Sequence, residues 1–441
     1  MTLQATSEVQ RLRTLGRVHA ERVLSFLFGT TPERIRPALD FLRIPKSVGA
    51  TGSPILLLRG GRVIPVFQTA SPVEGEPIAT VHGSGHASVA HDSGELRYGF
   101  DPWLEIGTRL MGGTREQTPI TGEMAAHPFG DWHIDIIADW MENNRGFERK
   151  PLPWLGTSRF CLTLSHDVDR IRKTFQIITH PLRHLLSGKL DRAIRTVIPD
   201  PDAYWSFPLI RRLEENRGVR STFFVLPGEF DVRRASFKDR VLLSGISRFD
   251  SVRLRSEVLS LHRDGWEIGL HSSNSARENP EQLWQEKGAL EGIIGQVVPG
   301  VRQHFLAEDF PRLWLSQSKT RFSYDSSMGF SDRVGFRGAT AHPYEVSYPG
   351  LWELPFEIMD GGLPSDTRDA WRLCLALLDE VEAVRGALVI LWHQRFFNER
   401  DFPGKAEIYC RLIDEARARG AWIAPCGKVL NEWRKGIGLE A

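Results

Sequence analysis

FCLTLSHDVD, residues 160–169, is an apolar run that ends in two carboxylates, and the rest of the chain is read outward from it. Apolar residues without polar alternation mark a strand covered on both faces, as in a parallel sheet. If the strand stays extended, Asp167 and Asp169 lie on one side at its end and His166 on the other. Two carboxylates aimed at one point repel unless a cation or a shared proton lies between them. A divalent metal bound by one, with the second left as a base for metal-bound water, satisfies that constraint. The alternative is that one Asp caps the segment that follows.

Further strand-like runs follow: VRSTFFVL, WEIGLHSS, VPGVRQHFL, FSYDSS, LWELPFEIMD, ALVILWHQ and AWIAP. Helical segments lie between several of them: FPLIRRLEENRG, LRSEVLSLHRDG, PEQLWQEKGALEGIIG, DTRDAWRLCLALLDEVEAVRG and KAEIYCRLIDEARARG. Each ends near a glycine, as a helix feeding a strand does. Strands alternating with helices predict a parallel sheet under helices, and seven or eight units predict a (β/α) barrel.

Chemistry in such barrels sits at the C-terminal strand ends. Those ends carry Asp167 and Asp169, His271 and Ser272, Arg302 and His304, Tyr324 and Asp325, Glu353 and Asp360, and His393. A lone histidine at a strand end is usually structural, but the same placement on five or six strands points to a site. His271 suits zinc or a similar ion as a neutral imidazole. His393 suits proton donation to a leaving group, and Arg302 suits holding an Asp base ionised.

LTLSHDVD, STFFV, EIGLHSS, GVRQHF, YDSS, LWELPFEIMD and ILWH resemble, in order and spacing, the polysaccharide deacetylases, the chitooligosaccharide-deacetylase-like (NodB-homology) carbohydrate esterases. The resemblance is to a divergent branch and spans residues 158–435. It implies a deformed (β/α)7 barrel with a smaller N-terminal α/β domain, and metal-assisted removal of an N-acetyl group from an amino sugar. It assigns Asp167 as general base, Asp169 and His271 as metal ligands, Arg302 as support for the base and His393 as acid to the leaving amine. Tyr324, Asp325 and Trp392 are the candidate substrate contacts. The cofactor implied is a divalent metal, zinc by expectation, and the partner is a saccharide.

One position departs from the family. Its metal motif has two histidines four residues apart, and here Ser275 stands at the second. Zinc sites as a rule need three protein ligands, which leaves Asp169 and His271 one short. His304, at the next strand's end, is the candidate replacement. Ser275 also motivates a second reading, a catalytically silent barrel that binds a glycan or a partner in polysaccharide assembly. A third keeps the fold and moves the substrate to a small non-sugar amide.

Residues 1–150 read as an α/β region of unassigned role. It has helices over about 6–28, 31–43 and 131–144, and a hairpin signalled by Gly60-Gly61 in SPILLLRGGRVIPVF. HGSGHASVAHDSG (82–94) reads as a loop, and PLPWLG (151–156) as a linker. The basic segment 170–195 reads as a solvated helical face, with an anionic polysaccharide or membrane lipid as the alternative contact.

With 441 residues, 56 Lys and Arg against 55 Asp and Glu, and 41% apolar residues, the chain is long enough for two or three domains and is not disordered. A net charge of +1 gives no footprint for nucleic acid. No window of about 20 apolar residues is present, and no stretch reads as a secretion signal. Four cysteines without a CxxC pair exclude a disulfide scaffold and a cysteine-held zinc. A soluble, cytoplasmic enzyme without a transmembrane segment is the expectation.

Overall fold

In a computed structural model, the described residues are all but 1, 46–54, 59–62, 67, 69, 112–124, 151–153, 156–157, 187, 189, 198–199, 201, 229–244, 307–308 and 440–441. Six strands form a first sheet: β1 (Leu42–Arg43), β2 (Ile55–Leu58), β3 (Val63–Pro65), β4 (Glu76–Val81), β5 (Ala87–Asp92) and β6 (Glu95–Tyr98), in the order β1-β6-β5-β4-β2-β3. β2 and β3 pair antiparallel as the hairpin expectation requires, and the Gly60-Gly61 turn lies outside the described residues. ASVAHD, within the stretch 82–94 expected as loop, is strand β5, paired on both sides. Helix Pro32–Leu39 ends earlier than expected and runs into β1.

The second sheet holds β7 (Cys161–Val168), β8 (Thr222–Val225), β9 (Glu267–Ser272), β10 (Gly300–Gln303), β11 (Tyr324–Asp325), β12 (Tyr344–Glu345), β13 (Trp352–Glu353), β14 (Ile358–Met359), β15 (Ala387–Leu391) and β16 (Trp422–Ala424). Its order is β12-β13-β11-β10-β9-β8-β7-β15-β14, and every pairing except β12 with β13 is parallel. β16 pairs with Cys161–Thr163, at the start of β7, while β8 pairs with Ser165–Val168 at its end. The run 352–359 pairs with β11 through β13 and with β15 through β14, so one stretch bridges both ends of the curl. This curled, mostly parallel sheet is compatible with a deformed barrel.

The expected helices are present, three of them begun by side chains that accept from free backbone N–H groups: Ser251 from Leu254, Asn279 from Gln282, Asp366 from Arg368 and Asp369. Helices Phe310–Lys319 and Cys426–Gly436 are additional to the sequence reading. All eight β7 side chains are buried, as a central parallel strand requires. Glycine is needed on β9: a Cβ at Gly269 would lie 2.5 Å from the Phe224 ring, which packs inside the curl.

One apolar core runs through both sheets. Phe26, at the end of the first helix (Thr2–Phe28), packs its ring 4.9 Å from Trp154 and 4.6 Å from Trp433, the latter on the last helix. Asp131 accepts from Thr340 Oγ1 and Ala341 N, both at 2.7 Å. Phe26→Ala is expected to cost about 3–5 kcal/mol through the cavity it leaves. Urea unfolding should show one transition at a lower midpoint. A separate early transition of the N-terminal sheet would contradict the shared core.

Candidate functional site

Asp167, near the end of β7, meets Arg302 of β10 inside the curled sheet, Oδ1 to Nη1 at 2.9 Å, with both side chains buried. The guanidinium is engaged all round. Nη1 also donates to Ser165 Oγ (2.9 Å), Nε to the Ser326 carbonyl (2.6 Å) and Nη2 to Ser326 Oγ (2.8 Å). Its flat face lies 4.3 Å from the centre of the Phe224 ring. A buried cation stripped of water needs this density of acceptors. Burial alone would push the Asp167 carboxyl up, but His271, Arg302 and His393 outweigh it and hold it below the usual carboxylate range.

His271 donates Nδ1–H to the Arg302 carbonyl at 3.0 Å, which leaves Nε2 as a lone pair 3.7 Å from Asp167 Oδ2. Burial pushes its pKa down to about 4, so the ring is neutral at pH 7 and Arg302 is the permanent charge beside Asp167. His304 sets its ring edge-on to His271, centroids 4.9 Å apart, and stacks on Phe305 at 3.9 Å. Phe305 and Leu306 take positive φ (62° and 55°), a tight turn that holds His304 at the strand end.

Asp169 is ion-paired with Arg395, which follows His393 by two residues in a short turn. Burial works against the charge on Asp169, but Arg395 and then His393, His304 and His271 hold it well below the ordinary range. Ser275, where the resembled family has its second histidine, accepts from Gln282 Nε2 at 2.6 Å and bonds Ser273 Oγ at 3.0 Å. Among the described residues, no group of three or more His, Cys, Asp and Glu side chains is placed to hold a metal ion. The set Asp169, His271 and His304 therefore does not fit a three-ligand zinc centre, because a guanidinium already neutralises Asp169.

His393 is oriented by Asp360, which accepts from its backbone N–H and from Nδ1 at 2.9 Å. Lys405 pins that turn by donating to the carbonyls of Asp360 (3.0 Å) and Leu363 (3.2 Å). Nδ1 is thus committed to Asp360. Burial and Arg395 push the His393 pKa down, yet Asp360, and then Asp169, raise it above the ordinary value. The site thus contains a carboxylate whose ionised form is favoured and an imidazole whose protonated form is favoured. It opens where Asp169 and Arg395 are part-exposed.

Three expected substrate contacts lie elsewhere. Tyr324 donates to Glu267 Oε1 at 2.5 Å, four residues before His271 on β9 and so about 13 Å short of the site. It lines a separate cavity of about 400 Å³ with Trp266, Glu267 and Pro425. Asp325 faces outward, bonded to Trp314 Nε1 (3.2 Å) and Ser327 Oγ (2.6 Å). Trp392 is fully buried with its ring 5.6 Å from Tyr409. Tyr324 shares the inner face but lies too deep along it, whereas strand alternation turns Asp325 and Trp392 outward as the neighbours of inward residues. His166 turns outward as expected, to Glu214 Oε1 at 2.9 Å. Arg395 carries no signal in the sequence beyond its nearness to His393, and Asp360 is marked only as a strand end.

No protein-family model and no curated protein matches the chain. Among solved structures it is similar to polysaccharide deacetylases and CE4 proteins. One is a candidate polysaccharide deacetylase from Mycobacterium smegmatis, 18% identical over 65% of this chain and 95% of that one, at a TM-score of 0.43. Another is the Puue allantoinase, 14% identical over 64% and 92%, at 0.43. A third is a CE4 family pseudoenzyme from Bacillus anthracis, 12% identical over 62% and 66%, at 0.31.

Two outcomes are expected. Elemental analysis of the purified protein should find zinc well below one ion per chain, and a stoichiometric ion would contradict the Arg395 pairing. Arg302→Gln should cost about 3–5 kcal/mol of stability by leaving Asp167 buried without its charge partner. An unchanged unfolding midpoint would show that the pair does not hold the carboxylate.

Proposed function

We propose that the chain is a hydrolase of amide bonds that removes an N-acetyl group from a saccharide. The observation that supports the reading is the placement, on neighbouring strand ends, of a buried carboxylate whose ionised form is favoured and a buried imidazole whose protonated form is favoured. Asp167 takes a proton from water, and the oxygen attacks the acetyl carbonyl carbon. The negative charge that develops on the carbonyl oxygen is met by Arg395, the part-exposed cation at the rim. His393 passes its Nε2 proton to the leaving nitrogen, the C–N bond breaks, and acetate and the free amine remain.

The catalytically silent reading is favoured by the same two observations that displace the metal, Ser275 tied to Gln282 and Arg395 on Asp169. The proton transfers above would also serve a small linear or cyclic amide. A substrate panel separates the three readings. Acetate release from N-acetylated oligosaccharides supports the deacetylase, ammonia or carboxylate release from small amides alone moves the substrate class, and binding without turnover supports the silent barrel.

Where activity is found, Asp167→Asn and His393→Gln should each lower kcat by about 10²–10⁴-fold. The pH profile carries a sign. His393 must be protonated to act as acid, so the rate falls as pH rises through its raised pKa. Asp360→Asn removes a group that raises this pKa, so the basic limb should move to lower pH. A limb that stays in place would remove His393 from the acid role.

A further inference from the structure

Directly after Asp169 the chain forms two short helices, Gln176–Leu186 and Leu190–Val197, packed against each other. On the first, Ile178, Leu182, Leu185 and Leu186 recur at helical spacing on one side, and on the second Leu190, Ile194 and Val197 do the same. In a helix lying on a core such a stripe faces inward. Here it faces out: all seven are more than half exposed, with Ile178 at 72% and Leu186 at 82%.

The inner side of the pair is held down. Lys173 Nζ donates to the Thr196 carbonyl (2.9 Å) and to Asp401 Oδ1 (2.7 Å), His180 Nδ1 lies 3.6 Å from Asp401, and Ala193 and Thr196 are buried. The apolar face is therefore presented by an anchored element. Its surroundings are basic: residues 170–197 contain seven Lys or Arg and one Asp, a net +6 in a chain whose total is +1.

We infer that this helical pair docks the protein on an anionic lipid surface. Aliphatic side chains on one face with cationic residues along the same short helices is the composition that lies in a bilayer interface, where apolar burial and attraction to acidic headgroups add. A second copy of the chain is a poorer occupant, because a two-fold contact sets the like-charged arginines of the two helical pairs against each other across an apolar seam. None of the helices among the described residues is long and apolar enough to cross a membrane, so attachment at this site is peripheral. The solvated face read from the sequence is replaced by an apolar one, and of the two contacts named there the exposed aliphatics favour lipid over polysaccharide.

The test is co-sedimentation of the full chain with phosphatidylcholine vesicles and with mixed phosphatidylcholine–phosphatidylglycerol vesicles, at low and high salt. Binding to the mixed vesicles that weakens with salt is expected, with little binding to phosphatidylcholine alone. The double variant Leu186→Asp/Ile194→Asp, both positions being solvent-exposed, should keep the thermal unfolding midpoint and lose affinity by on the order of tenfold. Equal vesicle binding by the variant, or no binding by the parent chain, overturns the inference. So does light scattering that shows a dimer dissolved by the same double substitution, since the face would then belong to a second copy.

Discussion

The buried ion pair between Asp167 and Arg302 is the constraint around which the rest of the site is arranged. Moving either ion out of water costs several kcal/mol, and the pair is tolerable only with its remaining donors satisfied. Ser165, Ser326 and the Phe224 ring supply those partners. Each sits on or directly after a strand of the second sheet, so the parallel registers must be kept for the pair to survive. In turn the Arg302 carbonyl fixes the tautomer of His271, whose residue lies in register with Arg302 across β9 and β10. Phe224 fills the space that Gly269 leaves open.

The site balances its own charge. Asp167 has Arg302, Asp169 has Arg395, and Asp360 has His393. Three carboxylates therefore each have a basic partner within the site. This differs from the arrangement the family resemblance implies, in which a metal would sit among Asp169 and two histidines. Ser275 stands where the resembled family has a histidine, and Arg395 is the charge partner of Asp169.

Much of this was legible in the sequence where strand alternation applies over several residues. β7 is long enough that Asp167 pointing in and His166 pointing out followed from period two alone. The strand-end positions of His271, Arg302 and His393 followed from the same pattern. It failed at β11, which is two residues long: Tyr324 and Asp325 cannot both face the site, and in the structure neither does. Trp392 failed for the same reason, being the outward neighbour of His393. Arg395 was invisible because it lies on a 3₁₀ turn, where no period predicts direction. The contacts that Phe26 makes with Trp433 and Asp131 makes with Thr340 and Ala341 were not legible. Contacts hundreds of residues apart leave no local trace.

The central claim is that protein cations alone hold Asp167 as the base. The most direct test is carbon-13 NMR of labelled aspartate carboxyls in metal-free protein, with the Asp167 signal assigned by Asp167→Asn and followed against pH. The account predicts titration below the ordinary carboxylate range without zinc, and no change when zinc is added. A carboxyl that titrates at or above that range, and falls only on adding zinc, would contradict it.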